Sequence, residues 1–349
     1  MLKRFKSQNR SMIGMDITSL SIHALQITKI AATYHIDNFL SESLDPHVIV
    51  DNQIRDQEAL FNSIKKLLFR ANWSCKSIVL AVPDAAIITK VIQIKNNLPK
   101  DEMDEIIFLE ASKHFSCPLH EINMDFAIRG PSSIHGNMLD VLITACRAEH
   151  VNTRVEAITR AGLTAQVVES ESSALERVIP LLTTRLSKEE KKGIAIIHIN
   201  ELFTHLKMAQ DGKIIFAHEE ASGCNQWGEV LMPQHDNSKE GNYCKMERSI
   251  TLGEQKSQVI RMEQLIRQIK RMLQFFYSAN SSKVIHHLFL AGDTARLPNF
   301  CQRLQEKVGI PTSLANPFKE MCFSNNAFSQ NFIEKAPSLL IACGLALRE

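Results

Sequence analysis

Three short runs of alternating or continuous apolar residues lie near the start of the chain and have the pattern of β-strands. They span residues 12–17, 19–27 and 34–39, and the breaks between them are short and polar, which predicts a three-stranded meander. Apolar positions then recur at the helical period over 54–70. Residues 77–82 form a buried-strand pattern that ends at Pro83. The predicted order is therefore strand, strand, strand, helix, strand.

The same order of patterns recurs in the second half of the chain. Strand patterns span residues 193–199, 202–209 and 213–218, a helical pattern covers about 254–280, and a further strand pattern at 286–291 ends at Gly292. With 349 residues, the chain exceeds the usual size of one core. A duplicated, two-lobed α/β architecture is the prediction. It has lobe I at 10–186, lobe II at 187–329, and a C-terminal helix at 330–349 that returns to lobe I.

Residues 86–162 interrupt the first lobe with patterns of their own. The elements expected there are a strand at 86–94, a helix at 101–115, strands at 124–129 and 138–145, and a helix at 148–161. This order predicts a small inserted α+β subdomain. Residues 232–252 are polar and lack periodicity, so a loop is expected there.

Composition narrows the classes of function. The formal net charge is only +2, from 40 basic and 38 acidic residues, whereas dedicated nucleic-acid binding usually needs a basic face. The eight cysteines lack CxxC spacing, so we expect reduced thiols and not a disulfide framework or a zinc site. No apolar stretch approaches the ~20 residues of a membrane-spanning helix, and no apolar signal segment follows the basic start. We therefore expect a cytoplasmic protein.

Short motifs along nearly the whole chain occur in the order and spacing of one known family. They are Gly14-Met15-Asp16, residues 87–93, Leu98-Pro99, and the segments 101–105, 123–126, 140–142, 161–165, 171–176, 274–276, 290–292, 311–318 and 336–347. On these motifs the chain resembles the PilM family of type IV pilus assembly proteins, which is related more distantly to FtsA and MreB.

The resemblance implies an actin/Hsp70-like (ribonuclease H-like) duplicated two-domain fold with an FtsA-type inserted α+β subdomain. It also implies a scaffold that is peripheral to the inner membrane and binds the N-terminal tail of the membrane protein PilN. Through PilN the scaffold would connect to PilO, PilP and the secretin PilQ, and it would link to the motor ATPases PilB and PilT. The resemblance leaves open whether the chain associates with itself. It also leaves open which pilus-dependent process the chain serves, twitching motility being one.

Proteins of this fold hold ATP with Mg²⁺ between two hairpin turns, one in each lobe, and a glycine pair contacts the nucleoside. In the first turn of this chain, Asp16 matches the carboxylate that organises Mg²⁺, and Thr18, Ser19 and Ser21 add hydroxyl groups. An ordinary polar turn between two strands is the alternative for this segment.

The second turn departs from the family pattern. His198 and Asn200 stand where Asp-x-Gly is expected, Glu201 adds a negative charge, and Gly292 is followed by Asp293 in place of a second glycine. A histidine does not replace a hard oxygen ligand of Mg²⁺. We therefore expect a degenerate nucleotide site and no enzyme activity, with Asn200 and Gly292 as the remaining candidate ATP contacts.

A scaffold that captures the PilN tail is the leading hypothesis. The strand pattern at 86–94 supplies Ile88, Val91, Ile92 and Ile94 as candidate walls of a peptide groove, or alternatively as core of the inserted subdomain. An active actin-like ATPase whose nucleotide state regulates pilus assembly is the alternative function. A small-molecule kinase of the same fold would need a catalytic carboxylate on a second glycine-rich turn, which the sequence does not show. An FtsA-like polymer would need an amphipathic membrane helix, whereas the sequence ends in Leu345-Ala-Leu-Arg-Glu349.

Overall fold

A computed structural model describes residues 12–71, 73, 75–96, 99–113, 118–132, 136–200, 202–221, 252–324 and 329–348. Glu201 lies outside these residues, as does the predicted loop at 232–252 except for Leu252, where a helix begins. The chain divides into two compact units. Unit 1 comprises residues 1–174 with 341–349, and unit 2 comprises residues 175–340.

Unit 1 is built on a mixed sheet whose strands follow the order β10-β6-β1-β2-β3. From residue 13 to residue 182 the chain forms β1 (Ile13–Ile17), β2 (Ser21–Ile30), β3 (Thr33–Ser43), β4 (Ile49–Val50), β5 (Gln53–Ile54), α1 (Gln57–Arg70), β6 (Ser77–Val82), β7 (Ile87–Lys95), α2 (Lys100–Ser112), β8 (Ile122–Pro131), β9 (Met138–Arg147), α3 (Ala148–Arg160), β10 (Thr164–Ser170) and α4 (Glu171–Leu182), the last of which continues into unit 2. Strands β10, β6 and β1 run parallel, whereas β1, β2 and β3 form the antiparallel meander predicted from the pattern.

Alternation along β1 divides its side chains between the two faces of this sheet. Ile13, Met15 and Ile17 belong to the core that α1 and α3 cover. Helix α1 begins at an N-cap, because the Asp56 carboxylate accepts a hydrogen bond from the N–H of Ala59 at 2.9 Å. Its buried stripe then packs on the same core.

On the other face of β1, Gly14 packs closely against the last helix of the chain. A Cβ at Gly14 would lie 2.3 Å from the Ala346 nitrogen and 2.4 Å from the Ala342 oxygen. Both atoms belong to α8 (Leu340–Ala346). Only glycine permits this approach of strand and helix backbones.

The segment proposed as an inserted subdomain contains a three-stranded sheet and α2. Its sheet has the order β7-β9-β8, with all neighbours antiparallel, and α2 covers one face through Ile107 and Ala111. The predicted bounds of 86–162 also include α3. Its Ala157 and Ile158 instead pack in the core of the main sheet, because α3 leads directly into β10.

Unit 2 repeats the arrangement of unit 1. It contains β11 (Ile194–Ile199), β12 (Thr204–Gln210), β13 (Lys213–Glu220), α5 (Leu252–Ala279), β14 (His287–Ala291), α6 (Phe300–Val308), β15 (Thr312–Leu314), β16 (Cys322–Phe323) and α7 (Ser329–Lys335). The sheet order is β13-β12-β11-β14-β15, and β14 lies parallel to β11 as β6 lies parallel to β1. The duplicated α/β pattern predicted from the sequence is confirmed by this shared topology.

Helix α5 closes the core of unit 2. Its inward stripe runs from Met262 to Phe276 and packs on β11, β12 and β14.

The five cysteines described, at positions 75, 146, 301, 322 and 343, are free thiols. Among the described helices, none has both the length and the apolar character needed to cross a bilayer.

Candidate functional site

The turn between β1 and β2 carries the hydroxyl groups predicted to contact a phosphate. The N–H of Thr18 donates to the carbonyl oxygen of Ser21 at 2.9 Å, and the N–H of Ser21 donates to Thr18 Oγ1 at 3.1 Å. The two hydroxyl oxygens lie 3.0 Å apart, and Ser21 Oγ lies 3.0 Å from His23 Nε2. Thr18 and Ser21 therefore use their hydroxyls to close the turn itself.

Asp16 lies at the carboxyl end of β1, directly before this turn, and is only 5% exposed. Ser19 is also buried. Among the described residues, no three His, Cys, Asp or Glu side chains are grouped so that they could hold a metal ion. An ion at Asp16 would therefore depend on phosphate oxygens and water for most of its ligands, as Mg²⁺ often does in nucleotide sites.

The matching turn of unit 2, between β11 and β12, is closed by an asparagine. The N–H of Asn200 donates to the carbonyl oxygen of Phe203 at 3.0 Å. Asn200 Oδ1 accepts hydrogen bonds from the N–H groups of Leu202 at 3.0 Å and Phe203 at 2.6 Å. Three backbone N–H groups of this turn thus point inward, which is an Asx-type turn and leaves them unavailable to a phosphate.

A polar cluster continues from this turn along the strands. Asn200 Nδ2 lies 3.2 Å from His205 Nε2, and His205 Nδ1 lies 3.2 Å from the Glu219 carboxylate. His198 is the cross-strand partner of His205, with ring centroids 6.0 Å apart. The position where the family pattern has a carboxylate is therefore occupied by an imidazole within a histidine pair.

Gly292 lies where β14 ends beside the end of β11. Its φ is +87°, and a Cβ there would meet the Ile199 oxygen at 2.1 Å. Its N–H donates to the carbonyl oxygen of Pro337 at 2.8 Å. The carboxylate of the exposed Asp293 accepts a hydrogen bond from the Ser338 hydroxyl. The glycine is thus required by strand packing alone, whatever its role toward a ligand.

The four candidate peptide contacts on β7 separate into two pairs. Ile88 is 57% exposed and Val91 is 46% exposed, whereas Ile92 and Ile94 are 5% and 2% exposed. Ile92 and Ile94 belong to the core under α2, so the expectation that they line a surface groove is wrong. Ile88 and Val91 are available on the surface of the strand.

Sequence reasoning missed Arg154, which is 1% exposed and lies on α3. Burial lowers the pKa of its guanidinium, while the carboxylates of Glu171 and Asp16 act in the opposite direction. The helical spacing of the sequence could have indicated this burial. Arg154 falls three residues after Val151 and four before Ile158, and so lies on the apolar stripe of the helix.

Two comparisons with known proteins agree on the relationship. The sequence model of the family described as type IV pilus assembly protein PilM matches residues 14–349. The chain belongs to the PilM family. Its structure is similar to a solved PilM-PilN type IV pilus biogenesis complex, with a TM-score of 0.72 and 22% identity over 97% of this chain and 98% of that chain.

A second solved structure supports the fold at greater distance. The ethanolamine utilization protein EutJ from Carboxydothermus hydrogenoformans has a TM-score of 0.54 and 11% identity over 96% of this chain and 89% of that chain. The predicted actin-like α/β fold is confirmed by these similarities. Membership of the PilM family also confirms the predicted assignment to type IV pilus assembly.

Proposed function

We propose that this chain is a pilus-assembly scaffold that binds the N-terminal tail of a PilN-type membrane protein along β7 and does not turn over ATP. The observation that carries the proposal is the pair of exposed apolar side chains, Ile88 and Val91, on an edge strand. A solved relative of the same fold is a PilM-PilN complex.

The edge of β7 suits an extended peptide. Within the described residues, β7 pairs with β9 on one side only, so its other side offers backbone N–H and C=O groups. A peptide added there would form main-chain hydrogen bonds and place alternate side chains on the two faces of the sheet. Ile88 and Val91 stand on opposite faces, because their positions differ in parity. One of these two side chains would therefore contact the even-numbered side chains of the peptide, and the other would contact the odd-numbered ones.

Calorimetry with a synthetic PilN tail tests this surface. Burial of an isoleucine or valine side chain contributes about 1.5–3 kcal/mol, so the double substitution Ile88→Asp and Val91→Asp is expected to weaken binding at least ~10-fold. Phe69→Asp is the matched control, because Phe69 is an exposed apolar residue of unit 1 on α1, with 93% exposure. The control should bind as the unchanged chain does. Equal affinity in the double variant, or no binding of the unchanged chain at ~1 mM peptide, would contradict the proposal.

The nucleotide part of the proposal rests on the unit 2 turn. Asn200 holds the backbone N–H groups of Leu202 and Phe203 within the turn, and His198 brings no oxygen ligand for Mg²⁺. We propose that ATP with Mg²⁺ binds weakly at most and is not hydrolysed. A steady-state hydrolysis assay should show no turnover above buffer; turnover that disappears in Asp16→Ala would refute this part.

We further propose that the PilN tail holds the scaffold at the cytoplasmic side of the inner membrane. PilN would then carry the link onward to PilO, PilP and the secretin PilQ, with the motor ATPases PilB and PilT reached from the scaffold. Fractionation of cells that express the Ile88→Asp/Val91→Asp variant should move the chain from the membrane fraction to the soluble fraction. Unchanged membrane association of that variant would count against this arrangement.

A further inference from the structure

A buried histidine follows each of the two hairpin turns at the same place in the strand register. In unit 1, His23 on β2 is the cross-strand partner of Asp16 on β1. In unit 2, His205 on β12 is the cross-strand partner of His198 on β11. The two histidines are only 6% and 9% exposed. The duplication of the meander therefore places one imidazole next to each turn.

In unit 2, the partners of His205 determine which ring nitrogen carries the proton. Nε2 lies 3.2 Å from Asn200 Nδ2, and Nδ1 lies 3.2 Å from the Glu219 carboxylate. The orientation of the Asn200 amide is fixed, because its Oδ1 accepts from the N–H groups of Leu202 and Phe203. An amide nitrogen only donates and a carboxylate only accepts. His205 is therefore neutral, with Nε2 as an acceptor and the proton on Nδ1.

We propose that the protonation state of His205 controls the unit 2 turn, and that the backbone N–H groups of Leu202 and Phe203 lose their acceptor when this histidine gains a proton. A proton on Nε2 would face the amide nitrogen of Asn200, and two donors form no hydrogen bond. Rotation of the Asn200 amide instead presents Oδ1 to the imidazolium, which forms a charge-assisted hydrogen bond. The same rotation removes Oδ1 from the two backbone N–H groups.

The described charged groups that face His205 act in both directions. Glu219 from β13 favours the imidazolium, whereas the neighbouring His198 of β11 and the buried Lys207 of β12 oppose a further positive charge. Other described charged or titratable side chains of β13 and its helix partners lie on the opposite face of that strand or at its far end: His218, Glu220, Arg271, Lys213 and Glu176.

The unit 1 turn provides an internal comparison. His23 Nε2 lies 3.0 Å from Ser21 Oγ, and His23 Nδ1 lies 3.0 Å from Ser41 Oγ. A hydroxyl group either donates or accepts, depending on its rotation, so protonation of His23 requires no change of partner. The N–H groups of Thr18 and Ser21 should therefore keep their hydrogen bonds at every pH at which the chain is folded.

Amide hydrogen exchange and NMR of the full chain, from about pH 8 down to about pH 5, test the proposal over the range in which histidine changes charge. At the higher pH, the ring nitrogen signals of His205 should be those of the Nδ1-protonated tautomer. As His205 gains its proton, the protection factors of Leu202 and Phe203 should fall at least ~5-fold. Protection factors correct for the direct effect of pH on exchange. Those of Thr18 and Ser21 should stay constant.

His205→Gln should abolish the pH response of the unit 2 turn, because glutamine is polar but does not titrate. His198→Gln is the matched control, since it removes the neighbouring histidine and should retain the response. Four results would overturn the proposal: an Nε2-protonated His205 at the higher pH, a His205 still neutral at the lower pH, constant protection of Leu202 and Phe203 while His205 titrates, or a response that persists in His205→Gln.

The first three of these results come from the unchanged chain, so the proposal is testable even if His205→Gln folds poorly. The inference goes beyond the scaffold role and depends on neither the peptide nor ATP. Failure of PilN-tail binding, or detection of ATP turnover, would therefore be recognised separately.

Discussion

The Asn200 side chain offers the sharpest test of how the unit 2 turn is held. Asn200→Ala removes the Oδ1 atom that accepts from the N–H groups of Leu202 and Phe203. It also removes the Nδ2 group 3.2 Å from His205 Nε2. The backbone hydrogen bond from the Asn200 N–H to the Phe203 oxygen does not involve the side chain and should survive.

The expected cost follows from the hydrogen bonds lost. A partly buried hydrogen bond contributes about 0.5–1.5 kcal/mol, so loss of the two acceptor contacts should lower the free energy of local opening by about 1–3 kcal/mol. Asn200→Asp is the matched control, because aspartate retains an acceptor oxygen at the same place. It should lose less than half as much.

Amide hydrogen exchange followed by mass spectrometry measures this directly. Exchange in peptides that contain Leu202 and Phe203 should be faster in Asn200→Ala by about 5- to 150-fold. Peptides across the Asp211–Gly212 turn of the same unit should be unchanged. Unchanged exchange at the Asn200 turn, or equal acceleration in Asn200→Ala and Asn200→Asp, would refute the proposed role of the side-chain oxygen.

Three further outcomes are expected from the packing and charge of single residues. Gly14→Ala should lower the free energy of unfolding by ~3 kcal/mol or more, because the new Cβ meets the backbone of α8. Gly309→Ala should lower it by only ~1–2 kcal/mol, because Gly309 has a φ of +72° but open space around it. Urea unfolding compares the two variants, and equal losses would contradict the steric argument. Burial lowers the pKa of His287, so near pH 6.5 the unfolded chain takes up a proton at this histidine more readily than the folded chain does. The free energy of unfolding should therefore fall as the pH decreases through about 6.5. The Tm of His287→Asn, measured by thermal unfolding, should depend less on pH. Ile94→Ala should lower the free energy of unfolding by ~2–4 kcal/mol, because Ile94 is only 2% exposed. Ile88→Ala should lower it by ~0.5 kcal/mol or less, because Ile88 is 57% exposed. Denaturation midpoints that rank the two variants in the opposite order would show that the strand is placed differently.

Much of the fold was predictable because periodicity is a local property. The apolar stripe of α1, the meander of β1 to β3 and the repeat of the same order in unit 2 all follow from spacing that neighbouring residues carry themselves. His198 and Asn200 also stand in the sequence where the family resemblance implies a carboxylate and a glycine.

Less of the candidate site was predictable, because it depends on contacts between distant residues. The β7 pattern does not distinguish Ile88 from Ile92, which have the same parity. Ile92 is buried in the core under α2, and Ile88 is exposed toward one end of the strand. Likewise, the sequence left Asn200 as a candidate ATP contact, whereas its side-chain oxygen closes the turn in the structure.

By itself, the sequence determined the order of strands and helices, the duplication and the residue types of the two turns, since each depends on short-range pattern or residue identity. Only the tertiary structure decided why Gly14 must be a glycine, because its neighbours Ala342 and Ala346 lie more than three hundred residues away. It also decided that the charged side chain of Arg154 is buried inside unit 1. Charge balance inside a core is a property of elements that meet in space, and no local pattern records it.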